Sequence, residues 1–269
     1  EELSQFVEKE PKNLLLRMKR ANFAYQLATL KNRTRKPLQG LVELVIQDTT
    51  RCMEQPSLAH KALMLRALIR GTYAIEAASG NKIMTALKQL DQCGLDFELI
   101  LKQTPNYLQA YLFRAEIYFN ALAQNPDGFL RLGGRTNVIG LLHVIYEDLL
   151  RVLAPSDNAQ AFLLRAQVEL LDLFLNRGKT TKEEGESLAK RCQEDAKKGA
   201  AFDPARSRYL VLACQVFEFK NAPPLDSQQR YRTLYQNLKK HLENHPELVS
   251  DQSNFLLREI ESVLETDQD

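Results

Sequence analysis

The 269-residue chain shows almost no charge imbalance, with 36 Lys and Arg against 34 Asp and Glu. That balance gives no basis for salt-driven binding to a phosphate backbone, so no nucleic-acid partner is expected. Long apolar runs are also missing. Stretches such as VIGLLHVIY at 138–146 fall well short of the roughly 18 to 20 residues that a bilayer-spanning helix needs, so no membrane span is expected in this segment. The opening EELSQFVEKEP is acidic and has neither an apolar signal core nor an initiator Met. A cytoplasmic location is the expectation, with a periplasmic one left open if an upstream signal or membrane helix was removed.

Cysteine is sparse and unpaired in sequence. Cys52, Cys93, Cys192 and Cys214 form no C-x-x-C, which argues against a zinc ribbon or dithiol motif. Buried free thiols, acting as small hydrophobes and compatible with a reducing compartment, are expected instead. His241 and His245 have the i, i+4 spacing of a metal pair, but only Glu243 stands nearby and Pro246 ends the helix. They read as a solvated last turn, with no metal and no cofactor expected. GKT at 178–180 lacks the first glycine of a phosphate-binding loop, where Leu173 stands, and no strand precedes it. With no Ser/His/Asp grouping and no H-E-x-x-H, the expectation is that this segment is not an enzyme.

What is present is a repeat, with hydrophobic content of 44% and charged content of 26% that suit a folded domain. LRMKRA (16–21), ALMLRA (62–67), AYLFRA (110–115), AFLLRA (161–166), RYLVLA (208–213) and NFLLRE (254–259) recur at offsets of 46, 48, 51, 47 and 46 residues. Pro11, Pro56, Pro105, Pro155, Pro204 and Pro246 precede the six copies and are expected to end one helix and open the next. Each phrase opens a helix A, with apolar residues at helical spacing such as Tyr107, Ala110, Tyr111, Ala115, Tyr118, Phe119 and Leu122. Turn-rich stretches follow (LKNRTRKP, ASGNK, NPDGFLRLGGRT, NRGKTT, NAPPLDS), and then a second amphipathic helix B. Asn81, Thr136, Thr180 or Thr181, and Asp226 or Ser227 stand where helix B needs an N-cap.

The chain thus reads as an all-α protein of five helix pairs, with half-units at both ends. Residues 1–10 align with the end of a preceding helix B, 11–259 form the repeat domain, and 260–269 finish a capping helix and tail. A stack of this kind needs polar terminal units, so more protein is expected before residue 1.

Helix A of the third copy, AYLFRAEIY from Ala110 to Tyr118, resembles the first helix of a tetratricopeptide repeat, with an aromatic, a small residue four on, and Tyr118 a further three along. Phe162 with Ala166, and Leu63 with Ala67, repeat the first two elements, and the closing proline sits where that family places one. The usual unit is shorter, about 34 residues. Long units are similar to the extended repeats that follow the catalytic domain in some bacterial eukaryotic-like Ser/Thr kinases. The resemblance implies a right-handed α-solenoid of about five pairs whose small residues Ala67, Ala115, Ala166 and Ala213 let helices approach. Its concave surface would bind a protein or peptide partner, as a scaffold or regulatory module of a larger signalling protein.

In that register the groove-facing positions are Met64, Leu68, Leu112, Glu116, Leu163 and Gln167. The 127–137 segment, DGFLRLGGRTN, is expected to be the longest loop, and Arg131, Gly133, Gly134 and Arg135 beside a helix start form a candidate anion site. A small-ligand sensor with a cavity near that loop is the alternative function. Arg20, Arg66, Arg114, Arg165 and Arg258 occupy one slot of helix A. They read as packing stems paired with carboxylates, against a row of cations for an acidic ligand.

Overall fold

A computed structural model gives the fold and describes residues 2–30, 38–176, 181–219 and 227–266. The repeat stretch GKT, the cap candidates Thr180 and Asp226, and most of the turns LKNRTRKP and NAPPLDS lie outside the described residues. No strand occurs among the described residues. The helices are α1 (Glu2–Lys9), α2 (Leu14–Thr29), α3 (Leu38–Cys52), α4 (Pro56–Ser79), α5 (Ile83–Gln103), α6 (Leu108–Gln124), α7 (Pro126–Gly128) and α8 (Arg135–Leu153). They continue as α9 (Ala159–Leu175), α10 (Lys182–Gly199), α11 (Pro204–Phe219), α12 (Ser227–Asn244) and α13 (Asp251–Thr266). Helix A of the repeat is therefore α2, α4, α6, α9, α11 and α13. The chain divides into two compact units, Glu1–Val152 and Leu153–Asp269, and the boundary falls between the third and fourth pairs.

In the first unit, Ala21, Ala24 and Ala28 make a small-residue stripe on α2 that packs into a core with Leu38, Leu41, Val42 and Val45 of α3. Helix α4 packs against α3, α5 and α6. Close approach is bought with missing side-chain atoms: a Cβ on Gly71 would lie 2.6 Å from Ile117 Cδ1 of α6. Ala21, Ala67, Ala115, Ala166 and Ala213, the repeated small residue of the first five helices A, are all fully buried. One van der Waals methyl is the most that this position accommodates between packed helices.

The second unit repeats the device on α10, where a Cβ on Gly199 would meet the Leu163 backbone nitrogen at 2.9 Å. Its core joins α9, α10, α11, α12 and α13, with Phe174 edge-on to both Phe217 and Phe255. Leu256 and Ile260 of α13 are buried in that core, and Tyr235 of α12 donates a hydrogen bond to Glu261.

Helix boundaries depart from the sequence reading in several places. Pro56 and Pro204 open α4 and α11, but Pro11, Pro105 and Pro155 stand three or four residues ahead of theirs. The caps there are Asn13, accepting from Leu16 N at 3.1 Å, and Asn158, accepting from Ala161 N at 3.0 Å. Thr181 caps α10 with a reciprocal Glu184 box, as its spacing predicts. Asn81 does not cap α5. It takes a left-handed backbone, φ 57°, and its Oδ1 accepts from Asn125 Nδ2 instead. Thr136 and Ser227 fall inside the helices they were expected to cap, since α8 starts at Arg135 and α12 at Ser227.

The expected long loop at 127–137 is helical. Helix α7 runs into a wide π-helical turn over Phe129–Gly133, whose Phe129 is fully buried, and Gly134 at φ 80° turns the chain into α8. A positive φ there is what the glycine permits.

The two glycines of α10 separate helix propensity from packing. Gly185, with open space around it, should tolerate Ala with a small gain of roughly 0.5 to 1 kcal/mol. Gly199→Ala should destabilise by about 1 to 3 kcal/mol, because Leu163 backbone occupies the space. Urea unfolding of the two variants checks the opposite signs.

Candidate functional site

Four of the repeated arginines share one geometry. Arg20 Nε and Nη2 grip both oxygens of Asp48 at 2.7 and 2.8 Å, and Arg114 does the same to Asp148 at 2.7 Å on each side. Arg66 Nη2 reaches Asp96 Oδ1 at 2.6 Å, and Arg165 clasps Asp195 through Nε and Nη2. Two clasps carry a second cation, Arg17 on Asp48 and Arg70 on Asp96, each at 2.9 Å. In every case the arginine comes from helix A and the aspartate from helix B of the same pair. The aspartates are between 0% and 3% exposed, so these are buried bidentate pairs, not surface ones.

Burial pushes the Asp148 carboxyl above its ordinary range while the Arg114 hydrogen bonds oppose that shift. Burial likewise pulls Arg70 down, and Asp96 opposes it. Each pair holds charges that their surroundings disfavour, so removing one partner is costly. The fifth pair lacks the clasp: the arginine slot holds Leu212, and the buried Leu238 stands at the aspartate's distance before the next proline. Both leucines belong to one core. Arg258, in the last helix A, is exposed.

The arginine row is therefore structural in these four pairs, as the packing reading expected, and not a cationic surface. The six groove positions divide. Met64, Leu68 and Glu116 are half-buried in the first unit and Gln167 in the second, but Leu112 and Leu163 are 2% exposed and sit in the cores. Arg131 and Arg135 are exposed and flank Gly133 and Gly134, and the π-helical turn places Gly133 against Leu87. Asn137 Nδ2 already donates to the Gly133 carbonyl, at 2.6 Å.

Cysteine departs from expectation. Cys192 of α10 and Cys214 of α11 form a disulfide, with Cα atoms 6.8 Å apart, whereas Cys52 and Cys93 are buried free thiols. Cys93 Sγ donates to the Ala67 carbonyl and Cys52 Sγ to that of Leu14. Burial raises the Cys52 thiol to about 11 and pushes Cys93 higher still. With two of four cysteines bonded, cysteine usage no longer argues for a reducing compartment.

His241 is not part of a solvated last turn. It is 7% exposed, and its Nε2 lies 2.8 Å from the Ala205 carbonyl, which can only accept, so Nε2 carries the proton. The His241 and His245 rings lie 4.7 Å apart. They line a cleft of about 640 Å³ between α11 and α12; a second cleft, about 480 Å³, opens among α3, α4 and α5. No group of three or more potential metal ligands occurs among the described residues. No family model, curated protein or solved structure matches this chain, so its function is argued from its own residues.

The residue sequence reasoning passed over most completely is Glu169. It stands one turn past Ala166 in the slot that Arg70 fills in the second pair, is 2% exposed, and its Oε2 has no hydrogen-bond partner. Burial first, then the nearby Asp195 charge, raise it to about 8, although Arg191 lies 3.7 Å away.

Two outcomes follow from these charges. Asp148→Leu alone should cost about 3 to 5 kcal/mol, and the double variant Arg114→Leu with Asp148→Leu should recover most of it, as the fifth pair already does without a clasp. Chemical unfolding of both singles and the double measures the coupling. For Glu169, the folded-state value lies above the unfolded one of about 4.3, so its stabilising contribution is complete below that and is lost as pH rises through about 8. Melting temperature should fall from about pH 5 to about pH 9, and Glu169→Gln should flatten that fall.

Proposed function

We propose that this segment is a non-catalytic protein-interaction or regulatory module, a tetratricopeptide-like right-handed solenoid that binds a protein or peptide partner through the face lined by helices A. Membership of a larger signalling protein, such as a bacterial kinase of the kind the repeat resembles, is part of the same proposal. One observation carries it. Arg66, Arg70 and Arg114 of helices A turn inward to clasp helix B, while Met64 and Leu68, one turn apart on α4, and Glu116 on the neighbouring α6 remain half-exposed. An apolar strip on helices whose arginines are engaged by buried aspartates suits the apolar face of an amphipathic helix. Leu112 and Leu163 are left out of the binding strip because they are core residues.

The alternative, a small-ligand sensor with its cavity near 127–137, has to move. Phe129 is buried in that segment, and the two clefts described above are lined by other residues.

Affinity capture and crosslinking with the wild-type chain and with a Met64→Glu, Leu68→Glu double variant test the interaction reading. A saturable partner lost on the double variant, with melting temperature unchanged, is the expected result. Equal capture by both chains would remove the α4 strip from the proposal.

A further inference from the structure

We propose that the cleft between α11 and α12 binds the phosphate group of a small phosphate monoester. The cleft lies wholly within the second unit, and its 640 Å³ falls inside the range of about 300 to 1,000 Å³ typical of small-molecule sites. Arg208 of α11 lines it, with Asn237, Lys240, His241 and Asn244 of α12 and His245 just beyond. Two imidazoles wall the concavity, and two permanent cations and two primary amides converge on it. That is the donor set for a dianion with three acceptor oxygens, bound by a guanidinium fork and an ammonium point charge.

The arginines of the first four helices A are placed differently. Arg17, Arg20, Arg66, Arg70, Arg114 and Arg165 each hold a buried aspartate. Among the described residues Arg208 and Lys240 have no carboxylate within ion-pair distance. The one acid lining the cleft, Asp203, is already engaged: its Oδ1 accepts from Arg206 N at 3.0 Å, and Oδ2 lies 3.6 Å from Arg206 Nε. His245 Nδ1 meets Glu247 at 3.2 Å.

His241 feels these charges in addition to its burial. Its pKa is lowered, first by burial, with the His245 and Arg208 charges adding to the effect against Ala205 and Glu247. A buried imidazole held by a backbone carbonyl gives the cleft a fixed wall, and a neighbouring anion offsets the repulsion among the cations around it. The remaining volume leaves room for the organic body of an ester. The inference is independent of the interaction strip on α4, which lies in the other unit, so failure of one leaves the other standing.

Isothermal titration of the full chain with inorganic phosphate and with glycerol 3-phosphate, at fixed ionic strength, tests the proposal. Saturable binding of both anions is expected, with glycerol 3-phosphate the tighter and neutral glycerol silent. Arg208→Gln and Lys240→Gln, both exposed, should each weaken it by roughly tenfold or more. The chain has four histidines, so imidazole NMR signals report location without a substitution: His241 and His245 should shift on titration while His60 and His143 stay put. No saturable binding, an effect reproduced by chloride at equal ionic strength, or shifts confined to His60 and His143 would overturn it.

Discussion

A carboxylate buried under an arginine from the partner helix is the constraint around which the first four helix pairs are organised. The bidentate fork fixes two distances at once, so it sets both the axial register of helix A against helix B and their rotation about their own axes. Apolar packing alone tolerates sliding, since an alanine stripe such as Ala21, Ala24 and Ala28 meets an aliphatic face at several registers. Asp48, Asp96, Asp148 and Asp195 do not tolerate it, because a shift of one turn strands a buried charge.

The fifth pair shows what the clasp is for. Leu212 and Leu238 replace the ionic slot there, and that core is held from a third side by α13 and by the aromatic cluster of Phe174, Phe217 and Phe255. The disulfide from Cys192 to Cys214 further ties α10 to α11. Where extra helices and a covalent bond define the register, an apolar pair suffices. Glu169 is the counterexample inside the same unit, a carboxylate placed in the slot of Arg70 beside an aspartate that already has its arginine.

Much of this architecture was legible because it repeats. The arginine, the buried alanine and the proline recur within a short phrase, so alignment of the copies exposes them directly. The aspartates were not legible, because the arginine-to-aspartate separation runs 28, 30, 34 and 30 residues as the intervening turns change length. Local signals misled where two conformations compete for one residue type. Asn81 suits an N-cap and a left-handed turn alike, and the contact with Asn125 selects the turn. Gly133 and Gly134 look like loop residues, yet Phe129 draws that segment into a helical turn by burying its ring. The groove register erred at Leu112 and Leu163 for a related reason: a helix that packs on several sides leaves few of its apolar positions open.

Structural charge and charge available for recognition lie on different residues of this chain. An arginine whose fork is closed on a buried aspartate has two donors and most of its charge engaged, so Arg114 and Arg165 offer little to a ligand, while the second cations Arg17 and Arg70 leave the first two clasps net positive. The α11 and α12 pair has given up the clasp, and its cations Arg208 and Lys240 line a cleft instead of a helix interface. Loss of the ionic lock and appearance of an open basic site are thus found in the same pair. Replacing a charged slot with Leu212 stabilises the interior without drawing on the surface cations, and those cations keep their full donor capacity for an anion.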